Sequence, residues 1–424
     1  MTSMNKKQLL QKVIGDRGTE KVLYARNAAL HLKAAAAGLR GQVTFCDGRP
    51  FRRYGLPGRN VFFGYYDLDQ YSPDMDKLLV HIVKKNADPA VDPAELAWID
   101  PADGAFHKLT ETRAWCWQQG ARLRWHPVQK NTILFNDDAD GRYCARALDL
   151  DTRQETTVSR ALYDLDRDFR YGLSLNFDRL QRLRPGYGYS RRPDVSAGEA
   201  SPATDGVFRV DLETGSETLL FSLRELAQDV SADGAQHYIN HLCVSPNGKR
   251  FMFFHLWTKN AQAQWDMRFY VADMDGGNLT MLEDGVRISH YCWVDDDTLL
   301  ATRRVRDKEF RHVFYDLRTG EKTVNQGALL DKDGHPSMIR QGFITDTYPQ
   351  KNMLQYVYLS DRTGQHNAEL LRLFAEPLCY GEHRCDLHPR VFRERFITID
   401  TTAVGGIRSV LAFELNDREL EKLR

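Results

Sequence analysis

Four histidines of this 424-residue chain fall at one repeating position, where they could bind a metal or transfer protons. Each stands four residues before the start of a turn in a repeated unit, and they are His241, His290, His335 and His388. Imidazole nitrogens suit zinc or manganese, and they can also shuttle protons or bind a sugar carboxylate. The alternative is a local capping histidine that was duplicated together with its unit.

Cys385 lies three residues before His388 in the segment RCDLHPR (384–390), and no other histidine of the set has a thiol at this distance. A thiolate favours zinc, so Cys385, His388, His335 and His290 form a possible tetrahedral set, with Cys292 as a further candidate. The predicted cofactor is a divalent metal, zinc first, with manganese or calcium as alternatives.

A second group of chemically useful residues lies in NFDRLQRLRPGYGYSRR (176–192). Arginine forks match carboxylate and sulfate groups, and a tyrosine beside arginines can act as a base. The candidates are Arg184, Tyr187 and Tyr189. An ordinary basic loop with packed tyrosines is the alternative.

Arg303 and Arg304 add positive charge further along the chain, and His255 is either a further site residue or a core histidine.

Repeated strand–turn units must position these side chains. QYSPDMDKLLVHIV (70–83) and CVSPNGKRFMFFHL (243–256) share a turn followed by an apolar strand, and weaker copies place turn starts near residues 72, 126, 176, 245, 294, 339 and 392. Four strands need roughly 40–50 residues, so this spacing predicts an all-β, seven-bladed β-propeller. A pair of β-sandwiches is the alternative.

The predicted organisation is an N-terminal helical segment over 1–41 and a propeller over 42–424. Either the last strand (407–415) or the segment near 43–63 is expected to close the ring. Long inserts at 183–206 and 358–383 are expected to carry function, because loops on a rigid scaffold commonly do.

Composition excludes some classes of function. Lys+Arg and Asp+Glu both count 58, so no global field for nucleic acid is expected. The seven cysteines are an odd, scattered number, which favours reduced thiols. No apolar run is long enough to span a membrane and no signal peptide is recognisable, so a cytoplasmic location is predicted. The oligomeric state stays open.

Several stretches resemble the propeller-type polysaccharide lyases, namely the ulvan lyases and, more distantly, the oligogalacturonate lyases. The resemblance covers most of the chain after residue 60. It is carried by FFGYYDLDQYSPD (62–74), RLRPGYGY (182–189), INHLCVSPNGKRFMFFHLW (239–257), GHPSMIRQGFITDTYP (334–349) and RCDLHPR (384–390).

The resemblance implies β-elimination on glycans that contain uronic acids. Tyr187 or Tyr189 would then be base and acid, Arg209 would neutralise the uronate carboxylate, and His241 would assist. His290, His335 and His388 could mirror the metal-holding histidines of the oligogalacturonate lyases. The predicted substrate contacts are Arg184, Arg122, Gln119, His255, Arg303 and Arg304.

The chain also departs from these families. Gln118 and Gln119 stand where a further catalytic histidine is expected, and the metal-binding Gln plus His pattern of the oligogalacturonate lyases is not reproduced. The main hypothesis is a carbon–oxygen lyase acting on an acidic oligo- or polysaccharide. The alternatives are a non-catalytic scaffold or glycan-binding propeller in a bacterial surface-polysaccharide pathway and, third, a metal-dependent hydrolase or glycosyltransferase-linked enzyme.

Overall fold

The repeated units form the blades of a ring. The computed structural model describes residues 6–230 and 234–423. Within these residues, seven antiparallel sheets of four or five strands make a seven-bladed β-propeller, so the predicted fold is confirmed.

The first described element is a helix that belongs to none of the seven sheets. Helix α1 (Lys6–Ala36) is interrupted at Gly15, whose φ of 68° is outside the helical range. Two short strands follow, β1 (Val43–Phe45) and β2 (Arg52–Tyr54). The predicted N-terminal helix is thus present, although residues 1–5 of the predicted segment lie outside the described residues.

Blades 1 to 5 are each built from four strands that follow one another in the chain. Blade 1 contains β3 (Arg59–Phe62), β4 (Leu78–Lys84), β5 (Ala94–Ile99) and β6 (Phe106–Thr112). Blade 2 contains β7 (Arg124–Trp125), β8 (Thr132–Ala139), β9 (Arg142–Asp149) and β10 (Glu155–Arg160). Blade 3 contains β11 (Asp164–Leu165), β12 (Tyr171–Ser174), β13 (Gly206–Asp211) and β14 (Glu217–Ser222). Blade 4 contains β15 (Gln236–Val244), β16 (Arg250–Thr258), β17 (Trp265–Asp273) and β18 (Thr280–Asp284). Blade 5 contains β19 (Ile288–Trp293), β20 (Thr298–Arg306), β21 (Glu309–Asp316) and β22 (Lys322–Val324).

Blades 6 and 7 combine strands from both ends of the chain. Blade 6 contains β23 (Ser337–Ile339), β24 (Gly342–Asp346), β25 (Leu354–Asp361) and β26 (Asn367–Phe374), with β1 beside β26. Blade 7 contains β27 (Arg390–Phe392), β28 (Phe396–Thr401) and β29 (Ser409–Glu414), with β2 beside β29. Both segments that were predicted to close the ring do so together: β29 lies in the segment 407–415, and β2, from the segment near 43–63, pairs with it as the outer strand of blade 7.

One predicted turn is displaced. Asn176 caps helix α2 (Phe177–Leu183) through a bond from the backbone N–H of Arg179, whereas the turn of blade 3 runs from Asp166 to Tyr171. The helix and the long insert that follows lie between the second and third strands of the blade. Because of this insertion, the apolar residues of α2 occupy the sequence position at which the repeat predicts a turn and a strand.

The remaining helices are short, α3 (Leu223–Leu226) and α4 (Asp417–Glu421), and a 3-10 turn spans Gly381–His383. The core lies between neighbouring blades, where apolar side chains such as Phe62, Trp115 and Trp117 pack together. Among the described residues, no helix has the length and apolar character needed to cross a membrane.

Candidate functional site

The four histidines at the repeating position come together in the structure. The ring centroids of His290 and His335 are 3.8 Å apart, and those of His335 and His388 are 4.4 Å apart. Tyr65 links the fourth histidine to them, because its ring lies 5.3 Å from His241 and 4.9 Å from His388. Each imidazole is at most 4% exposed. We call these four histidines and Tyr65 the histidine cluster.

One carboxylate positions two of these histidines. Asp346, at the end of β24, accepts the backbone N–H and the Nδ1–H of His335, both at 2.8 Å. Its second oxygen accepts the backbone N–H of His388 at 3.1 Å, while Nδ1 of His388 donates to the carbonyl of Gly64 at 2.7 Å. In the neutral imidazoles both Nε2 atoms therefore keep a lone pair, and both are buried without a hydrogen-bond partner.

The carboxylate of Asp386 completes a group that could hold a metal. The ligand atoms of His335, Asp386 and His388 all lie within 4.8 Å of one another. Arg384 donates two bonds of 2.7 Å to Asp386. Burial would raise the pKa of Asp386, but the Arg384 guanidinium outweighs burial and lowers that pKa, so the carboxyl is ionised. Two imidazole lone pairs and a carboxylate fit a divalent transition metal.

Asp346 also sets the basicity of His335. Burial opposes protonation, but the Asp346 carboxylate more than compensates and raises the pKa of His335 above its ordinary value. Burial, followed by the charge of His335, lowers the pKa of His388 well below its ordinary value. Metal-binding histidines commonly donate their other ring N–H to a carboxylate or a carbonyl, as these two do, and this strengthens them as ligands.

Two of the predicted ligands lie outside this group. Sγ of Cys385 is 3.8 Å from the carbonyl oxygen of Asp386, and burial raises the pKa of its thiol. His290 uses both ring nitrogens elsewhere. Its Nδ1 donates to Asp333 at 3.0 Å, and its Nε2 accepts from the hydroxyl of Tyr348 at 3.2 Å. A carboxylate thus stands where the sequence suggested a thiolate.

Tyr348, His290 and Asp333 form a hydrogen-bonded chain beside the metal-capable group. Burial, then the charge of His335, lowers the pKa of His290, so this imidazole is neutral at neutral pH. Burial raises the pKa of Tyr348 well above its ordinary value. Burial would also raise the pKa of Asp333, but His290 lowers it, so Asp333 is ionised. In this hydrogen-bonded chain a carboxylate orients an imidazole, and the imidazole can take a proton from a hydroxyl or return one to it.

The arginine–tyrosine stretch reaches the cluster at Tyr187. The ring of Tyr187 meets His241 edge-on at 5.8 Å, and the Arg184 guanidinium lies 5.1 Å from the Tyr187 ring centroid. On its other side, Nδ1 of His241 is 3.1 Å from the hydroxyl of Tyr163, which accepts from Nε2 of Gln119 at 2.8 Å. Burial lowers the pKa of His241 well below its ordinary value, so it is neutral.

Two further predicted site residues lie deep in the protein. The Tyr189 hydroxyl accepts from Nδ2 of Asn136 at 2.8 Å, and its ring stacks on Phe177 at 4.5 Å. Arg122 is buried and donates two 3.0 Å bonds to Asp67. Both side chains are occupied in packing the blades, because their polar atoms already have protein partners.

The other predicted contacts are spread over blades 3 to 5. Arg209 lies over the ring of Tyr171 at 5.0 Å, away from the histidine cluster. His255 is buried, with its Nε2 2.9 Å from a nitrogen of His237. Arg303 pairs with Glu283 at 2.9 Å, whereas its neighbour Arg304 is exposed. The structure does not bring Arg209, His255 or Arg303 to the cluster.

A cavity of about 780 Å³ lies elsewhere, between blades 7 and 1, with Phe51, Tyr54 and Phe396 in its wall. It does not include the residues of the histidine cluster. Buried polar atoms without partners occur in several parts of the described chain, and those of the cluster are the Tyr65 hydroxyl and Nε2 of His335 and of His388. The convergence of two such imidazole nitrogens with the Asp386 carboxylate identifies the candidate site.

Sequence reasoning missed five residues that build the site. They lie outside the repeating position and are Asp333, Asp346, Tyr348, Arg384 and Asp386. Two signals were present. The D-x-H spacing of Asp386 and His388 is a ligand pattern, and GFITDTYP places a carboxylate at the end of a strand and a tyrosine just after it.

Comparisons with known proteins bear on the fold. An oligogalacturonate lyase in complex with manganese is 15% identical over 90% of this chain and 99% of its own, with a TM-score of 0.61. The chain shares the fold of the oligogalacturonate lyases. A second such lyase, from Vibrio parahaemolyticus, is 12% identical over 90% of this chain and 100% of its own, also with a TM-score of 0.61.

A solved structure of another kind of protein is also similar. The match to the tricorn protease covers 87% of this chain and 35% of the protease, with 12% identity and a TM-score of 0.51. No protein-family model matches the sequence, and no curated protein does. The comparisons therefore support the lyase resemblance at the level of the fold, and the resemblance to ulvan lyases stays a prediction.

Proposed function

We propose that the protein is a carbon–oxygen lyase that cleaves glycans next to a uronic acid by β-elimination. The observation that carries this proposal is the Tyr348–His290–Asp333 chain, which lies against the His335–Asp386–His388 group. β-Elimination needs a group that removes the C5 proton, a group that neutralises the uronate carboxylate and a group that protonates the leaving oxygen. The shared fold with oligogalacturonate lyases supports the same reaction class.

His335, His388 and Asp386 would hold a divalent metal. A bound cation would neutralise the uronate carboxylate and so acidify the C5 proton. Cys385 was the reason to favour zinc, and it lies outside the group. Imidazole and carboxylate ligands suit manganese as well as zinc, and calcium less well, because it prefers oxygen. We therefore propose manganese or zinc.

Tyr348 is the proposed proton carrier. As its oxygen takes the C5 proton, its own proton passes to Nε2 of His290, and the ionised Asp333 stabilises the resulting imidazolium. The electron pair of the C5–H bond forms the C4–C5 double bond while the C4–O bond breaks. The proton then returns through Tyr348 to the leaving glycosidic oxygen, so no net proton is gained or lost.

Tyr187, Arg184 and His241 lie at the part of the proposed site that Tyr65 connects to His388. Arg184 is placed to bind an acidic group, and the neutral His241 to hydrogen-bond the sugar. Arg209, which the resemblance suggested as the neutralising group, lies over Tyr171 instead, and we assign it no part in the reaction.

The second candidate is a glycan-binding propeller without activity, for example in a bacterial surface-polysaccharide pathway. The near-complete burial of all four histidines favours it, because a substrate must displace covering side chains to reach them. A panel of uronate-containing oligosaccharides separates the two. A lyase produces the ultraviolet absorbance of an unsaturated uronate, and binding without this absorbance supports the second candidate.

A further inference from the structure

We propose that Arg184, Arg287 and Arg304 form a second anion site at the edge of the histidine cluster, which holds an acidic group on a sugar beside the one that reacts. The substrate class is then an oligosaccharide with carboxylate or sulfate groups on at least two sugars. This substrate assignment rests on the proposed lyase function, whereas the anion site itself can be tested separately.

Two of the arginines share one aromatic ring. The Arg287 guanidinium lies 4.2 Å from the ring centroid of Trp265, and that of Arg184 lies 4.7 Å from the same ring. Arg184 also lies over Tyr187. The aromatic rings hold the two guanidinium groups in place through cation–π contacts, and such contacts leave N–H donors available.

These arginines differ from their neighbours in having no carboxylate partner. Arg182 pairs with Asp194, Arg192 with Asp138 and Arg303 with Glu283. Among the carboxylates that the structure describes, none lies within ion-pair distance of Arg184, Arg287 or Arg304. The described ion pairs of this region are Arg179–Asp194, Arg182–Asp194, Arg191–Asp138, Arg192–Asp138, Arg268–Asp284, Arg303–Glu283 and Arg384–Asp386.

The positive charges also oppose one another. Burial, followed by the charge of Arg184, lowers the pKa of Arg287, and Arg304 acts in the same direction, whereas the Asp333 carboxylate, which lies beyond ion-pair distance, acts against them. Like charges that are held together lower stability, and an anion bound between them reduces that cost. A planar carboxylate or a sulfate matches the fork of a guanidinium.

The anion site adjoins the reaction centre on the chain and in space. Arg287 precedes Ser289 and His290, whose side chains hold Asp333. The backbone N–H of Arg304 donates to the carbonyl of Arg287 at 2.9 Å, so β20 holds Arg304 next to the residue that precedes β19. Arg184 reaches His241 through Tyr187. A glycan whose reacting sugar lies at Tyr348 would therefore present its neighbouring sugar to these arginines.

Isothermal titration calorimetry with inorganic sulfate tests the anion site directly. We expect the wild type to bind sulfate at one site, with Arg287→Gln and Arg184→Gln each weakening it at least tenfold. The control is Arg318→Gln, an exposed arginine 3.7 Å from Asp297, which should bind as the wild type does. Absence of sulfate binding by the wild type, or equal binding by all variants, would overturn the proposal. Thermal unfolding of each variant shows whether it is folded.

A pair of trisaccharides tests the substrate assignment, one with acidic groups on adjacent sugars and one with a single uronate. We expect the wild type to cleave the first at least tenfold more efficiently in kcat/KM, and Arg287→Gln to lose this preference. Cleavage with no preference rejects the anion site and leaves the lyase function standing. Sulfate binding that depends on Arg287, without cleavage of either glycan, rejects the lyase function and leaves the anion site standing.

Discussion

His335 and His388 come from different blades and are fastened to the same carboxylate. Asp346 accepts two bonds from His335 and the backbone N–H of His388. His388 also has a φ of 49°, a backbone conformation that a residue other than glycine seldom adopts. Such a conformation persists only where surrounding contacts impose it, and it is common at functional sites. Asp346 therefore positions both residues that could bind a metal, through the ring of His335 and through the backbone of His388, whose own ring is held by the carbonyl of Gly64.

Replacing that carboxylate should weaken metal binding. Asp346→Asn cannot accept from both histidines with two oxygens, so we expect an affinity for manganese or zinc about 10–100-fold lower, as for other residues that orient ligands. The measurement is calorimetric titration of metal-free protein. Asp316→Asn is the control, because this carboxylate at the end of β21 accepts backbone N–H groups of the turn that follows. Unchanged affinity in Asp346→Asn would show that Asp346 does not organise a metal site.

Cys385 should be dispensable for the metal. Its Sγ lies outside the His335–Asp386–His388 group, so Cys385→Ser should keep the wild-type metal content. His388→Ala should lose the metal. Elemental analysis of the purified proteins measures both. Loss of metal in Cys385→Ser, with an unchanged unfolding temperature, would restore the thiolate as a ligand.

Asp400 should stabilise the junction between blades 7 and 1. It is buried and accepts from Arg390 at 3.0 Å and from the backbone N–H of Gly64 at 3.1 Å. Asp400→Ala leaves Arg390 buried and unpaired, so we expect the free energy of unfolding to fall by about 3–5 kcal/mol.

Denaturant unfolding measures this loss. The control is Asp417→Ala, whose exposed carboxylate pairs with Arg395 at the surface and should contribute little. Equal stability of the two variants would contradict the structural role of Asp400.

Asp178, in the first turn of α2, should make stability depend on pH. Burial is the largest cause that raises the pKa of its carboxyl from 3.8 to about 7. The folded state thus keeps a proton that the unfolded state releases. The stability from this proton is complete below about pH 4 and is lost as the pH rises through about 7.

Asp178→Asn cannot ionise, so its Tm should exceed that of the wild type by a few degrees near pH 8 and match it near pH 4. Thermal unfolding at both pH values checks this, with Asp211→Asn at the end of β13 as the control. A difference in Tm that is the same at both pH values would contradict the assignment.

The sequence predicted the ring and the convergence of the histidines for one physical reason. Each blade repeats one strand–turn unit, so residues such as His335 and His388 at equal distances from the turn must occupy equivalent places around the ring. Asp333, Asp346 and Tyr348 do not repeat in this way. Asp346 ends β24, and the other two lie in the connections before β23 and after β24. Only tertiary packing determines which histidine each of them contacts.

Spacing also leaves open which of Tyr187 and Tyr189 meets the histidine cluster. The Tyr189 hydroxyl bonds Asn136, whereas the Tyr187 ring contacts His241. Gly188 separates the two tyrosines, and a side chain there would meet the carbonyl of Phe177 at 2.1 Å. Composition and spacing do not reveal such a close approach.

The central claim is that Tyr348 carries the proton of an elimination reaction. Wild-type protein loaded with manganese or zinc is mixed with uronate oligosaccharides, and the ultraviolet absorbance of the unsaturated product is followed. The variants are Tyr348→Phe and the matched control Tyr189→Phe, and calorimetry with the same glycan shows that binding is retained. We expect product with the wild type and the control, and at least a hundredfold lower kcat with Tyr348→Phe. Undiminished kcat in Tyr348→Phe, or no product from any uronate glycan that the wild type binds, would contradict the account.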